Sequence, residues 1–410
     1  MVAIAVLGHG VVGSGVVEVL EKNRESIRRK TGADVYVKKI LDLREFPELP
    51  YADRFTKSYD EILADPEIKV VVEVMGGLNP AYEFAAGALN ASKSVVTSNK
   101  ELVAAKGAQL LAIAAEKGCN FMFEASVGGG IPIIRPMHNC LAANQISEIV
   151  GILNGTTNFI LTKMIREGME FSEALKMAQQ LGYAEKDPTA DVEGHDSCRK
   201  ICILASLAFG KHVYPESVRT EGITKITLED VRYAESVNRV IKLLGQTREV
   251  DGKIFASVEP ALISRESILA GVEDVFNGIL VRGDAIGDVA FYGQGAGKLP
   301  TASAVIGDVI DCIKAEGKVI SLHWSDSDGC NLADIREEQT VRYIRCKGKG
   351  AEAASAQIFG GITPLHREGQ PADEFAFITP AMTGYQLEEK LGQLQKQGAE
   401  ILGSIQVWEP

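Results

Sequence analysis

The most constraining feature of the sequence is a glycine motif that directly follows an apolar run at the amino terminus. Residues 2–7 (VAIAVL) are apolar and rich in β-branched side chains, and residues 8–13 (GHGVVG) match the pattern GxGxxG. Apolar residues then recur at helical spacing between Gly13 and Leu20. A strand that passes through a glycine turn into a helix is the context in which this pattern predicts a dinucleotide-binding fold.

The three glycines of this motif are expected to have different roles. Gly8 permits the tight turn, Gly10 lets a pyrophosphate approach the backbone, and Gly13 lets the helix pack closely on the strand. Val11 and Val12 lie in the first turn of the helix, whose unpaired N–H groups and partial positive charge favour phosphate. The motif therefore predicts NAD or NADP as the cofactor. A glycine-rich turn without a ligand is the alternative.

The choice between NAD and NADP depends on residues near the end of the second predicted strand. Asp42 is expected there, where a carboxylate would accept a hydrogen bond from the adenosine 2′-hydroxyl and repel a 2′-phosphate. Lys38, Lys39 and Arg44 are close in sequence and could instead hold that phosphate. The carboxylate favours NAD, with NADP left open, and Asp42 could also be a solvated turn residue.

Strands and helices alternate through the first third of the chain. After the first strand, further strands are predicted at Val35–Leu41, Val70–Val74, Ser94–Thr97 and Asn120–Glu124, with helices at Pro80–Asn90 and Lys106–Lys117. This alternation predicts an α/β fold with a Rossmann-type, doubly wound parallel sheet. Both faces of such a sheet are covered, which explains apolar runs with little polar alternation.

The pattern changes after the glycine-rich residues 128–132. Strands are predicted at Glu148–Leu153 and Gly278–Gly283, and helices at Glu173–Leu181, Asp196–Phe209 and Leu228–Leu244. The mixture predicts an α+β catalytic and dimerisation domain over residues 131–299. The stretch Gly293–Cys312 ends in a helix, and residues 300–320 are predicted to pack back on the first domain, residues 1–130.

The last seventy residues have the order strand, helix, strand, strand, helix, strand. The predicted elements are Thr340–Cys346, Ala351–Phe359, Ile362–Arg367, Glu374–Pro380, Tyr385–Gln397 and Ile401–Glu409. That order is typical of a ferredoxin-like unit of the ACT kind. Residues 338–410 are therefore predicted to be a small third domain.

Composition restricts the classes of partner. The formal net charge of −12 argues against nucleic acid or an anionic membrane as the main partner, because neither attracts an acidic protein. No stretch has the roughly 18 uncharged apolar residues of a membrane span. The amino terminus runs into the glycine motif without a basic segment or a cleavage site, which predicts a cytoplasmic protein.

Five further motifs follow along the first 320 residues. They are VVEVMGG (71–77), TSNKELVA (97–104), FEASVGGGIPII (123–134), ILNGTTNFIL (152–161) and GYAEKDPTADVEGHDSCRK (182–200), of which the last is the most specific. Together with the glycine motif they make the sequence similar to homoserine dehydrogenases over its first 320 residues. The resemblance implies oxidation of L-homoserine to L-aspartate 4-semialdehyde with NAD(P), or the reverse reduction, on the route to threonine and methionine.

Hydride transfer at an alcohol carbon requires a matching proton transfer at the oxygen. The resemblance implies that Lys200 donates that proton in the reducing direction. An unperturbed lysine has a pKa of about 10.4, so burial or a second cation must lower it. Lys100, which contacts substrate or cofactor in the family, could be that cation. The alternative for Lys200 is a surface ion pair with Asp196, one helical turn away.

The acidic residues of the same motif are the expected substrate ligands. By resemblance Glu185 and Asp196 bind homoserine, with its amino group as the natural partner of at least one carboxylate. Asp191 is a weaker candidate. Asp187 precedes Pro188 and could simply shape a turn.

Other positions match cofactor contacts or a cation site by resemblance. The expected cofactor contacts are Gly76, Gly77, Thr97, Lys100, Gly182 and Gly297, with ordinary loops as the alternative. The positions that match a structural monovalent cation site, for Na⁺ or K⁺, are Glu124, Val127, Gly129 and Ile131. A glycine-rich interdomain hinge is the alternative for this second group.

The tail departs from the pattern of effector-binding ACT domains. After its first strand it has a basic loop at residues 347–350, where such domains usually have an acidic residue followed by glycine. Threonine feedback and subunit assembly across an interface both remain open for this tail. A homodimer or homotetramer is expected.

Overall fold

The computed structural model describes residues 1–315 and 317–409. Its first part consists of β1 (Val2–Leu7), α1 (Val11–Lys22), α2 (Arg24–Thr31), β2 (Val35–Leu41), β3 (Phe55–Thr56), α3 (Tyr59–Ala64), β4 (Ile68–Glu73), α4 (Ala81–Asn90), β5 (Ser94–Thr97), α5 (Lys100–Lys117) and β6 (Phe121–Met122). The six strands form one parallel sheet in the order β3-β2-β1-β4-β5-β6. The predicted Rossmann-type sheet is confirmed.

The middle part carries the second, mixed sheet. Its elements are β7 (Ile146–Ile152), α6 (Gly155–Glu167), α7 (Phe171–Gln180), α8 (Thr189–Val192), α9 (His195–Phe209), β8 (Arg219–Thr220), α10 (Leu228–Ser236), β9 (Arg239–Val250), β10 (Lys253–Ser264), β11 (Phe276–Gly283), β12 (Gly287–Gln294) and α11 (Lys298–Lys314). The strands β12-β11-β7-β9-β10 are neighbours in that order and pair antiparallel. Helix α9 contains the last six residues of the most specific motif, residues 195–200, and packs on β9 and β10.

One predicted helix, Leu228–Leu244, is wrong in its second half. Helix α10 ends at Ser236, and β9 begins at Arg239 after Asn238, whose φ is +56°. Residues 240–245 are all buried because β9 lies inside the sheet with both faces covered. A continuous apolar run is compatible with a buried helix or a buried strand, so periodicity could not distinguish them.

Helix α11 packs on the first part of the chain. It packs on α1 so closely that a Cβ on Gly15 would lie 2.8 Å from the Lys298 carbonyl oxygen. Ala302, Val305 and Val309 of α11 are buried in one apolar cluster with β1, β2 and β4. The contact brings the loop before α11 to the glycine turn after β1.

The tail contains β13 (Gln339–Lys347), α12 (Ala351–Phe359), β14 (Thr363–Leu365), β15 (Glu374–Ile378), β16 (Met382–Thr383), α13 (Gly384–Lys396) and β17 (Glu400–Trp408). Its main strands lie in the order β17-β13-β15-β14, which is the ferredoxin-like order that the sequence predicts. Strand β17 also pairs in parallel with β10. The second sheet therefore continues from the middle part into the tail, across the predicted boundary at residue 338.

Within residues 1–315 and 317–409, none of the helices has the length and apolar character needed to cross a membrane.

Candidate active site

The glycine turn after β1 has the geometry of a dinucleotide cradle. Gly8 has a φ of +95°, and a Cβ on Gly13 would lie 2.0 Å from the Gly8 carbonyl oxygen, so neither position tolerates a side chain easily. Gly10 precedes α1, and in the described part of the chain no atom lies within 4 Å of a Cβ built there. A pyrophosphate can thus approach the backbone of this turn. The residues present fit the cofactor.

Asp42 lies where the sequence predicts it, just after β2, but its carboxylate already has partners. It accepts hydrogen bonds from the His9 backbone N–H at 2.8 Å and from the Arg44 guanidinium at 2.9 and 3.0 Å. These bonds hold the pKa of Asp42 well below its ordinary value, Arg44 contributing most. The Arg44 side chain is 62% exposed and remains accessible to a ligand.

The two lysines that could have held a 2′-phosphate are directed elsewhere. Lys38 forms ion pairs with Asp65 and Glu67, and Lys39 pairs with Glu61. Of the three cations considered from the sequence, Arg44 is therefore the one that contacts Asp42.

The turn after β4 is built on a buried carboxylate that sequence reasoning missed. Glu73 is fully buried and accepts hydrogen bonds from the Thr97 hydroxyl at 2.6 Å and the Met75 N–H at 2.8 Å. Burial raises the pKa of Glu73. Asn99 donates its amide to the Gly77 carbonyl oxygen at 2.6 Å. Thr97 thus supports the Gly76–Gly77 turn by holding Glu73.

A buried cluster of charges lies at the start of α9. The Lys200 ammonium donates to the Leu153 carbonyl oxygen and to the Asp196 carboxylate, each at 2.7 Å. Lys100, at the first position of α5, forms an ion pair with the other oxygen of Asp196. The predicted Asp196–Lys200 pair one helical turn apart does form. It is buried rather than exposed.

Burial and the neighbouring charges determine how these groups titrate. Burial lowers the pKa of Lys200, and the Lys100 ammonium acts in the same direction against the attraction of Asp196. Burial alone would raise the pKa of Asp196, but the two ammonium groups outweigh it and hold that pKa well below its ordinary value. The arrangement couples a buried lysine whose pKa is lowered to a carboxylate whose pKa is also held below its ordinary value.

Asn154 organises the acidic residues, and the sequence analysis did not single it out. Its Oδ1 accepts the N–H of Thr157 at 2.8 Å, which caps α6. Its Nδ2 donates to Asp191 at 2.7 Å and to Asp196 at 2.9 Å. Burial raises the pKa of Asp191. Its position before a helix, inside the ILNGTTNFIL motif, was the available signal.

These groups share one cavity of about 620 Å³. Its lining includes Lys100, Asn154, Asp191, Asp196 and Lys200. It also includes Val12 from the first turn of α1 and Gly295–Gly297 from the loop before α11. A single space therefore joins the buried ammonium to the glycine turn.

Of the other predicted cofactor contacts, some line the cavity and some lie in the turn after β4. Gly182 and Gly297 line the cavity, with φ values of +76° and +129°. Gly76 and Gly77 form the turn above the Glu73 carboxylate and are not in the described cavity wall.

Glu185 is the predicted substrate ligand that the structure does not bring to the charged cluster. Its side chain is exposed on the loop after α7, and its backbone oxygen accepts a hydrogen bond from Gln179 at 3.1 Å. The described wall of the cavity contains Tyr183 from this loop but not Glu185.

The residues of the expected cation site lie near the cavity but do not all face it. Val127 and Gly129 line its wall. The Glu124 carboxylate instead accepts the backbone N–H groups of residues 133–135 at 2.6 to 2.9 Å. The Ile131 N–H donates to the Gly128 carbonyl oxygen at 2.8 Å. The Glu124 side chain is therefore bonded to the backbone of residues 133–135.

The fold and the site together define a class of protein. A parallel sheet with a glycine turn suited to a pyrophosphate, a cavity that leads from that turn, and a buried ammonium beside a carboxylate are the requirements of a dehydrogenase that uses a nicotinamide dinucleotide. The chain is an oxidoreductase of this class.

Comparison with known proteins identifies the family. Residues 8–124 match the family model "Homoserine dehydrogenase, NAD binding domain", and residues 132–310 match the model "Homoserine dehydrogenase". The homoserine dehydrogenase of Bacillus subtilis is 44% identical over 317 residues, which are 76% of this chain and 73% of that protein. The chain belongs to the homoserine dehydrogenase family.

Solved structures agree with this assignment. A homoserine dehydrogenase from Thiobacillus denitrificans has a TM-score of 0.89 and 35% identity, and the match covers 100% of this chain and 98% of that one. A hyperthermophilic archaeal homoserine dehydrogenase mutant, solved in complex with NADPH, has a TM-score of 0.66 and 30% identity over 76% of this chain and 97% of that one.

Proposed function

We propose that this chain interconverts L-homoserine and L-aspartate 4-semialdehyde in the 620 Å³ cavity, with Lys200 as the catalytic residue that exchanges a proton with the substrate oxygen. The observation that supports this assignment is the continuity of the space between the Lys200 ammonium and the glycine turn. When bound, the nicotinamide ring supplies or accepts the hydride.

The environment of Lys200 favours proton exchange with a bound substrate. In oxidation its neutral amine takes the proton of the alcohol, and in reduction its ammonium returns a proton to the developing alkoxide. Burial and the Lys100 ammonium lower the pKa of Lys200, which makes its neutral amine easier to form. Asp196 keeps the charged form accessible because its carboxylate bonds to Nζ at 2.7 Å.

Asp191 is the best placed partner for the amino group of homoserine. Asp196 is already balanced by two ammonium groups, whereas the bond recorded for Asp191 comes from the neutral amide of Asn154. A substrate ammonium would stabilise the ionised form of Asp191, whose pKa burial raises. Glu185 stays a predicted second ligand on the neighbouring loop.

The dinucleotide would be held by Gly8, Gly10 and Gly13 and by the N–H groups of Val11 and Val12. We propose that Arg44 decides between NAD and NADP. Its guanidinium is accessible beside Asp42, and it neutralises the carboxylate that would otherwise repel a 2′-phosphate. The expected preference for NAD over NADP stays a prediction, and the complex of the archaeal relative with NADPH supports the second cofactor.

Three further features stay predictions. They are a monovalent cation at residues 124–131, threonine feedback through the tail, and a homodimer or homotetramer. Activity with and without Na⁺ or K⁺, activity with millimolar threonine, and sedimentation of the full chain test them in turn. An unchanged rate in either assay removes the corresponding proposal, and a monomer in sedimentation removes the third.

The proposed function is tested by homoserine oxidation with NAD and NADP in parallel, for the native chain and for Lys200→Ala. The expected result is a loss of about a hundredfold or more in kcat with a small change in KM, because a proton-transfer group is removed. Lys253→Ala, which removes an exposed lysine on β10, is the matched control and should leave both parameters unchanged. Full activity in Lys200→Ala overturns the assignment.

A further inference from the structure

Residues 272–276 lead into β11, whose first residue is Phe276, and they contribute to the cavity wall; they are called the wall segment. Val275 of this segment lines the cavity. The segment also packs on the start of α6, since a Cβ on Gly155 would lie 2.7 Å from the Val275 carbonyl oxygen. Its position therefore affects both the shape of the cavity and the turn that carries Asn154.

The wall segment is held by side chains of α6. The Asn158 amide, which is 1% exposed, lies within hydrogen-bond distance of three carbonyl oxygens, those of Val272 at 3.2 Å, Asp274 at 3.0 Å and Phe276 at 3.1 Å. The Asp274 N–H donates to the Thr162 hydroxyl at 3.0 Å. The Asn158 amide thus contacts the backbone at three positions of the wall segment.

Behind this amide lies a buried lysine from β9. Lys242 is 2% exposed, and its ammonium donates to the Asn158 Oδ1 at 3.0 Å and to the Val272 carbonyl oxygen. In residues 1–315 and 317–409 it forms no ion pair with a carboxylate. The charged groups that face it are Glu273 and Asp274 of the wall segment and Arg166 of α6.

This arrangement is costly. Burial lowers the pKa of Lys242 to about 8, and an ammonium without a carboxylate partner destabilises a protein interior. An apolar side chain of the same length would fill the position at lower cost if packing alone were required. The hydrogen bonds of the Lys242 ammonium to Asn158 and Val272 indicate a role beyond packing.

We propose that Lys242 and Asn158 are positioning residues, which hold the wall segment and thereby keep Val275 against the substrate cavity. Neither side chain is part of the described cavity lining, so both act through the segment. The inference rests on the proposed use of this cavity for homoserine. It concerns the substrate half of the cavity rather than the glycine turn.

The test compares Michaelis constants for the two substrates in Lys242→Met and Asn158→Asp. Lys242→Met removes the ammonium at similar side-chain length. Asn158→Asp keeps an acceptor for Lys242 but turns an oxygen toward the three carbonyl oxygens. Each variant should raise KM for homoserine about tenfold while KM for the cofactor changes less than about twofold, because only the substrate wall shifts.

Two further variants separate positioning from a general loss of stability. Arg342→Met also removes a buried cation, the partner of Glu259, but it lies outside the wall segment and should lower Tm without changing KM for homoserine. Lys242→Arg retains the charge and should restore part of the affinity that Lys242→Met loses. If Lys242→Met does not fold, Asn158→Asp tests the positioning role alone, through the change in KM for homoserine relative to KM for the cofactor.

The outcomes distinguish this inference from the proposed function. If KM for homoserine is unchanged, or rises together with KM for the cofactor, while Lys200→Ala is still impaired, the positioning role is wrong and the proposed function stands. If Lys200→Ala is fully active, the assignment of the cavity itself is wrong, and the positioning role is overturned with it.

Discussion

The Asp196 carboxylate receives two ammonium groups, one on each oxygen, and the Asn154 amide as well. Asp196 and Lys200 are buried at a considerable desolvation cost, which their mutual attraction and hydrogen bonds must offset. The value of this cluster lies in the chemistry that it permits. A lysine of lowered pKa stays next to an ionised carboxylate. Its amine can therefore take up a proton, and its ammonium can release one, without leaving the site.

Arg44 supports a prediction at the scale of the single residue. Replacing Arg44 with Ala removes the cation beside Asp42 and exposes a 2′-phosphate to the carboxylate. We expect KM for NADP to rise about tenfold or more, because a charge-assisted bond is exchanged for repulsion. KM for NAD should change little.

Steady-state kinetics with both cofactors on the same preparation measure this effect, and Arg54→Ala is a matched control. The Arg54 guanidinium lies over the Tyr51 ring and pairs with Glu21 on α1, so its loss leaves Asp42 and Arg44 in place. An equal rise in both Michaelis constants would contradict the role of Arg44.

At the scale of the element, Asn154, which organises the site, directly precedes helix α6. The Asn154 side chain caps the helix and orients Asp191 and Asp196 at the same time. Asn154→Ala should therefore lower the free energy of unfolding by about 1 kcal/mol through the lost cap. It should also raise KM for homoserine, because the two carboxylates lose their common donor.

Thr383→Ala is the matched control for this prediction. Thr383 caps α13 in the tail with a complete capping box, so its loss should lower stability by a similar amount. Substrate affinity should not change. If the two variants have the same KM for homoserine, Asn154 is only a helix cap.

The sequence predicted the elements well where periodicity and glycine signals agreed. The strand Val35–Leu41 and the helix Ala351–Phe359 were predicted with their observed bounds. The sequence does not predict strands β10 and β12, and its predicted helix Leu228–Leu244 covers the first half of β9. A covered strand such as β9 shows little alternation, so local sequence cannot reveal its neighbours.

Residues of the candidate site could be predicted only where they lie in a motif that resembles the family. Lys100, Asp196 and Lys200 were found through the resemblance, and the structure brings them together. Glu73, Asn154 and Lys242 were missed. Their roles depend on partners distant in the chain, such as Thr97 for Glu73, which spacing along the sequence does not show.

At the scale of the whole molecule, the tail is continuous with the catalytic part. Strand β17 pairs with β10, and Trp408 lies in an apolar cluster that also contains Leu269 and Val272. Arg342 of β13 forms a buried ion pair with Glu259 of β10. The seam between the two parts therefore contains paired strands, buried apolar side chains and a buried ion pair.

This continuity predicts that the tail and the catalytic part unfold together. The chain has two tryptophans, Trp324 near α5 and Trp408 at the seam, so Trp324→Phe and Trp408→Phe each leave one reporter. Both should show the same fluorescence midpoint in denaturant. An added Arg342→Met should lower both midpoints equally, at a cost of about 3–5 kcal/mol for an orphaned buried charge. An earlier transition reported by Trp408 would contradict the prediction.

In the proposed mechanism the Lys200 ammonium lies at the reacting oxygen of the substrate. A crystal structure with the reduced dinucleotide and L-homoserine, a pair that cannot react, measures this geometry directly. We expect the Lys200 Nζ and the homoserine hydroxyl oxygen to be separated by about 2.6–3.2 Å, directly or through one water. A homoserine hydroxyl bound to another side chain, with Lys200 still bonded only to Asp196 and Leu153, would contradict it.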